Sequence, residues 1–249
     1  MVRSRLSPFK KNALAMKTTP KASISTKKFL LALNRDLDLI KQKVENCSSF
    51  FFLHDYSEFK SSGAMSAIEV ATLTLEDRRF FNHFGVELRA IPRVLRRYLR
   101  TRKIGGISTI EQQVVRIVTG RYERRAKRKL TELLLAFFIN FHLGKREILH
   151  FYINNSYFGY GIVGCNKASR LLFAKESSTL KIHEAAIVAA CLPVPIPKSV
   201  VSALSNLTTA RSSDELLSLT SQIDDRWTNE IKFRKKIVLE KYHLMLNNF

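Results

Sequence analysis

Between Arg124 and Leu143 the apolar residues Leu130, Leu133, Leu134, Phe137, Phe138 and Phe141 recur at helical spacing. Side chains three, four and seven positions apart share one helix face, and these residues make a broad apolar one. The stretch predicts the longest helix of the chain, with Gly144 as its stop. The same period returns on both sides of it. It predicts helices over Lys28–Asn46, Ser66–Phe81, Val86–Arg100, Ile110–Thr119, Lys145–Tyr152, Lys167–Phe173, Lys181–Leu192 and Asn229–Leu246. Ser66 and Glu69 have the spacing of a capping box, and Gly120 is placed to break the helix before it. Strand-like character is limited to Phe50–Leu53. The fold class expected is mostly α.

A chain of 249 residues can bury one sizeable core. Residues 1–27 are expected to be a basic disordered tail and 28–249 a single domain. Within it the motifs occupy 66–198, Ser199–Asp225 reads as a weakly ordered polar insertion, and a helix at 229–246 closes the chain. The 42 Lys+Arg against 21 Asp+Glu, a net charge of +21, speak about partners rather than fold. Nucleic acid, an anionic membrane surface and a phosphate-bearing substrate are the candidates. Residues 1–28 hold eight Lys/Arg and no acid, and residues 86–130 hold fourteen against three. The second block is interleaved with apolar periodicity, so its charges sit on folded structure and need a reason. Cys47, Cys165 and Cys191 match no metal spacing, and an odd count argues against a disulfide framework. No apolar run approaches the roughly 18 residues that span a bilayer, and Met1–Lys28 lacks the apolar stretch of an export signal.

Chemistry is concentrated in a few segments. Glu76, Phe80 and His83 fall at i, i+4 and i+7, with Asp77 one step round and Gly85 as a stop. A carboxylate, an aromatic ring and an imidazole on one stripe can floor a reaction site, and they equally fit an ordinary amphipathic helix end. Gly105-Gly106 followed by Ser108 and Thr109 offers a close backbone approach and a helix cap. Gln112-Gln113 behind it is harder to explain as surface decoration. Arg124, Arg128 and Glu132 follow at i+4 steps, with Arg116 eight residues before Arg124. Guanidiniums around one carboxylate suit a diphosphate or its metal complex, whereas a salt-bridged surface face would mix the signs more evenly. Lys145–Gly164 and Glu184–Pro197 read as structural scaffold.

Taken together and in order, these segments resemble the peptidoglycan glycosyltransferase family, the transglycosylase module of class A penicillin-binding proteins and of monofunctional transglycosylases. The resemblance rests on Glu76-Asp77-x-x-Phe80-x-x-His83-x-Gly85, Gly106-x-Ser108-Thr109-Ile110-x-Gln112-Gln113 and Arg128-Lys129-x-x-Glu132. It continues in Lys145-x-x-Ile148-Leu149-x-x-Tyr152-x-Asn154 with Tyr157-Phe158-Gly159, and in Glu184 through Leu192-Pro193. It covers about residues 66–198, and more weakly Phe233–Leu246.

The resemblance implies a lysozyme-like helical head with a smaller membrane-facing jaw. It implies polymerisation of lipid II into β-1,4 glycan strands with inversion, undecaprenyl diphosphate leaving. Glu76 resembles the general base and Glu132 the second essential carboxylate, placed near the diphosphate or a divalent ion, Mg or Mn. Arg116, Arg124, Arg128 and Lys129 match positions that hold donor phosphates. Asp77, Phe80, His83, Ser108, Thr109, Gln112 and Gln113 would complete the substrate site, His83 in a supporting role. Expected partners are lipid II, the nascent strand, an anionic membrane surface and other cell-wall synthesis proteins, with no nucleic acid. The expected location is the outer face of the cytoplasmic membrane. Departures are Ile107 for a usual Gly or Ala, Glu111 for a usual Thr, and Asn166 for a usual acid. Glu111 is expected to add an anion near the donor site. No membrane anchor and no penicillin-binding domain are visible, so a monofunctional chain is expected. The alternatives are a catalytically lapsed relative that binds anionic lipid or glycan, and a basic nucleic-acid-binding protein, which explains the charge but not the two spaced glutamates.

Overall fold

Helices form almost wherever the apolar period demands one. The computed structural model describes residues 20–51, 65–87, 89, 92, 96, 99–100, 108–123, 125–207 and 209–246. In chain order these are α1 (Pro20–Phe51), α2 (Ala67–Glu76), a 3₁₀ turn (Phe80–Asn82), α3 (Ile110–Thr119), α4 (Ala126–Ile139) and α5 (Lys145–Asn155). A short hairpin, β1 (Tyr157–Gly159) and β2 (Ile162–Val163), is followed by α6 (Cys165–Phe173) and α7 (Ile182–Ala190). The chain then forms α8 (Lys198–Leu204), α9 (Ser213–Ile223) and α10 (Asp225–Leu246). The mostly α expectation holds.

Two groups of helices share one core. α2, α7 and α10 pack on one another, and the small residues Ala185, Ala186, Ala189 and Ala190 of α7 permit that close approach. α1 packs across α3, α4 and α5 through Leu33, Ile40 and Val44, which form one helical stripe. The predicted capping box is present: Glu69 accepts from the Ser66 N–H at 2.8 Å and hydroxyl at 2.7 Å. Gly120, left-handed at φ 64°, ends α3 as predicted.

Several expectations need correction. α1, not the Arg124–Leu143 stretch, is the longest helix, and it begins inside the expected basic tail. Pro20 fits its first position because a missing N–H costs nothing there. Phe50 and Phe51 belong to this helix rather than to an extended piece, and the two strands lie at 157–163 instead. α4 turns Leu135, Ala136 and Ile139 inward, while Leu130, Phe137, Phe138 and Phe141 stay exposed. Most of the apolar face read from the sequence is therefore the outer one, while its Leu134 is half-buried against the core. Its rings pack on each other, and Phe84 stacks on Phe141 with centroids 6.4 Å apart. Ser199–Asp225 is not weakly ordered: it forms α8 and α9 and sends Val200, Leu204, Leu216, Leu217 and Thr220 into the core. Its polar composition hides apolar residues at helical spacing. Most of Val86–Ile107, including Gly105-Gly106, lies outside the described residues, as do residues 1–19 and Phe52–Leu53.

Candidate active site

Glu76 is the last residue of α2, and Asp77 leaves the helix with φ −156° and ψ 80°. Asp77 is captured by partners outside the helix. Its oxygens meet His83 Nε2 at 3.0 and 3.1 Å, and Oδ2 accepts the Ile110 N–H at 3.3 Å. A short acidic side chain that finds such partners competes with the helix. Glu76, Phe80 and His83 are thus not one helical stripe; they are a helix end, a 3₁₀ turn and an extended residue. Gly85 is likewise no helix stop. Its φ of +76° lets the turn touch α4, where a Cβ would lie 1.9 Å from the Ala136 carbonyl oxygen. From there the Gly85 carbonyl accepts from Thr109 Oγ1 at 2.7 Å and Gln112 Nε2 at 3.4 Å.

The two glutamines of α3 join the two halves of the site. Adjacent helical residues point about 100° apart, so each can serve a different wall. Gln113 Nε2 donates to Glu76 Oε2 at 2.7 Å, and its Oε1 accepts from the Tyr152 hydroxyl at 3.1 Å. Gln112 Oε1 accepts from Lys129 Nζ at 2.6 Å. Lys129 also reaches Glu132 Oε1 at 2.5 Å and Ser108 Oγ at 3.4 Å. Arg128 donates to the other Glu132 oxygen, and Arg116 Nε lies 3.9 Å from it. Burial is the main influence holding the Glu76 carboxyl above its ordinary range. The hydrogen bond from Gln113, the nearby Tyr152 hydroxyl and the charge of Arg234 on α10 oppose it. Beside Glu132 opens a cleft of about 240 Å³ lined by Arg116, Arg121, Arg125, Lys127 and Arg128. A part-buried carboxylate and a cation-lined hollow face one helix from different sides.

Behind them lies a buried polar cluster. Glu111 is 0% exposed and pairs with Lys145, which also donates to the His83 carbonyl at 2.7 Å. His83 Nδ1 stands 3.9 Å from Glu111. Ligand-type atoms of Asp77, His83 and Glu111 lie within 4.8 Å of one another. The ammonium of Lys145 already supplies the cation there, so the cluster reads as an ion-paired core. Glu111 therefore does not add an anion to the donor side; it points away from it.

Of the predicted residues, Glu76 and Gln113 form one wall, and Ser108, Gln112, Arg116, Arg128, Lys129 and Glu132 the other. Asp77, Phe80, His83 and Thr109 are buried beside these walls, as Gln112 and Glu132 are within them. Arg124 lies outside the described residues. Tyr152, Lys145 and Arg234 belong to the site's support and were not among the residues expected to carry it. A lysine opening a helix, where an acid is favoured, was the available signal for Lys145. Nothing local marks Arg234, whose relation to Glu76 depends on α10 packing against α2.

The class of protein is a helical one with one part-buried carboxylate, Glu76, and a second, Glu132, held among Arg116, Arg128 and Lys129. The chain belongs to the transglycosylase family, whose sequence model matches residues 54–218. It is 33% identical over 161 residues to a biosynthetic peptidoglycan transglycosylase of Haemophilus influenzae, covering 64% of this chain and 65% of that one. A monofunctional glycosyltransferase of Staphylococcus aureus is 29% identical over 213 residues, 83% of this chain and 75% of its own. Penicillin-binding protein 1F of Bacillus subtilis is 33% identical over 129 residues, 51% of this chain but 18% of its own length. The chain thus spans just under two thirds of the Haemophilus protein and less than a fifth of the Bacillus one.

Proposed function

We propose that this chain polymerises lipid II into β-1,4-linked glycan strands with inversion, releasing undecaprenyl diphosphate. The observation that carries the reading is the glutamine pair: Gln113 holds Glu76 while Gln112 holds Lys129 of the cation cluster. That arrangement supplies a proton acceptor and an anion holder to one bound pair of substrates.

The acceptor sugar hydroxyl gives its proton to a Glu76 oxygen as its own oxygen bonds to the donor's anomeric carbon. The bond from that carbon to the diphosphate oxygen breaks, and the electron pair leaves with the diphosphate. Attack opposite the leaving group inverts the centre. A base held above its ordinary range by burial is suited to taking a proton near neutrality. Arg116, Arg128 and Lys129 are in place before charge develops, so they stabilise the leaving group without reorganising. Glu132 keeps those cations converged. A divalent ion at Glu132 does not fit the side chains alone, because both oxygens are engaged by Arg128 and Lys129. The ion's ligands would have to come from the diphosphate.

Lipid II and the growing strand are the substrates, and the outer face of the cytoplasmic membrane is the place of action. No helix among the described residues is long and apolar enough to cross a membrane. The exposed ring cluster of Phe84, Phe137, Phe138 and Phe141 supports contact with a lipid surface. Purified protein given lipid II and Mg²⁺ is expected to yield glycan strands on a gel, and Glu76→Gln to yield far less while melting no lower than the wild type. Absence of product from the wild-type protein sinks the reading.

A further inference from the structure

The transglycosylase match begins at residue 54, yet α1 ends before it and still packs on α3, α4 and α5, the helices that carry most of the site. Its buried stripe of Leu33, Ile40 and Val44 also contains a carboxylate, Asp36, which is 4% exposed. A buried carboxylate needs a partner. Asp36 has Arg121, from the loop between α3 and α4: Nη1 donates to Oδ2 at 2.5 Å and Nη2 to Oδ1 at 3.2 Å. The exposed Arg35 adds a looser contact at 3.6 Å. Arg121 is not used up by this pair. Its side chain is 39% exposed and lines the cleft beside Glu132. Its carbonyl accepts from Arg128 at 3.4 Å, and Arg128 in turn holds Glu132.

A guanidinium is a planar fork, and one edge on Asp36 leaves other N–H groups for a second oxyanion. The pair also cannot part cheaply, since Arg121 leaving would strand a buried charge. Arg121 is therefore a fixed cation rather than a swinging one. We propose that Arg121 is a further ligand for diphosphate oxygens in the cleft, and that Asp36 of α1 is the positioning residue that fixes it. On this view α1 is a wall of the donor site. The inference rests on the diphosphate-donor reading given above.

Inorganic pyrophosphate is the probe, titrated calorimetrically into the full chain alongside thermal melts of each variant. Arg121→Ala is expected to weaken binding about tenfold, the loss of one charge-assisted contact. Arg121→Lys is expected to recover only part of it, because a point charge lacks the fork. Asp36→Asn, with Arg121 intact, is expected to weaken binding severalfold and to raise KM for lipid II more than it lowers kcat. Wild-type affinity in Arg121→Lys and Asp36→Asn, with melting temperature alone reduced, overturns the proposal and leaves a structural tether. No pyrophosphate binding by the wild-type chain overturns it as well. Pyrophosphate binding that depends on Arg121, without glycan product from the wild type, sinks the proposed function and leaves this inference standing.

Discussion

Replacing Gly85 with alanine tests whether the turn after Glu76 is fixed by its contact with α4. Two costs arise together. At φ +76° a residue with a Cβ is strained, by about 1–2 kcal/mol. The added carbon would also lie 1.9 Å from the Ala136 carbonyl oxygen, 2.4 Å from its carbon and 2.8 Å from Asn140 Nδ2. The amide of Asn140 can swing aside, but the helix backbone cannot. The turn must retreat by about 1 Å or more to reach van der Waals distance, and overpacking of this kind costs about 1–3 kcal/mol. The expected loss is about 2–5 kcal/mol. Urea unfolding followed by Trp227 fluorescence reads it, since this is the single tryptophan and it is buried. Retreat also draws the Gly85 carbonyl from Thr109 and Gln112, so glycan synthesis should fall further than the folded fraction does. A loss below about 1 kcal/mol would refute the reasoning, because most substitutions without a steric cause fall there.

Glu76→Gln should lower the rate by about 10²–10⁴-fold, the usual worth of a general base, without lowering stability. The neutral amide can still accept from Gln113, and the buried charge is gone. Burial raises the folded pKa of Glu76 above its unfolded value, so ionised Glu76 opposes folding. That penalty is absent below the ordinary carboxylate range and complete above the folded value. The wild-type rate should accordingly fall on acidification along a limb displaced upward from the ordinary carboxylate range, and this limb should be missing from the residual rate of Glu76→Gln. Lys145→Met should cost about 3–5 kcal/mol in denaturant melts, since it leaves Glu111 buried without its cation. Glu111 is already held above the ordinary range by burial, so its protonation on acidification should shrink that deficit. A deficit independent of pH would place the damage elsewhere.

Local signals were legible and long-range captures were not. Ile110–Thr119 is helical over the expected span because Thr109 caps it, accepting from the Gln112 N–H at 3.4 Å, and Gly120 closes it. Glu132 and Arg128 pair as their i+4 spacing predicts. The apolar period, by contrast, runs on through Phe80 and His83, although the helix stops at Glu76. What stops it is Asp77 binding the Ile110 N–H, a partner 33 residues away. The orientation of α4 was equally hidden. Apolar residues surround much of that helix, and which side faces inward follows from Glu132 having to meet the cations of its own first turns and Arg116 of α3. The hairpin at 157–163 is too short for alternation to register. It closes through Gly159 against Ile196, again a distant partner.

Position 111 makes the same point in energetic terms. A glutamate there, among residues expected to bind an anion, reads in sequence as a charge that weakens the site. Helical geometry separates it from its neighbours: Glu111, Gln112 and Gln113 point in three directions, to Lys145, to Lys129 and to Glu76. Its charge is absorbed by Lys145, which ties α5 to α3 and to the carbonyl of His83. The acid therefore acts on the frame that holds His83 and Asp77, and through Asp77 on the helix end that presents Glu76. A substitution that looks electrostatic in one dimension is a packing decision in three, and its consequences should appear in stability before they appear in affinity for the donor.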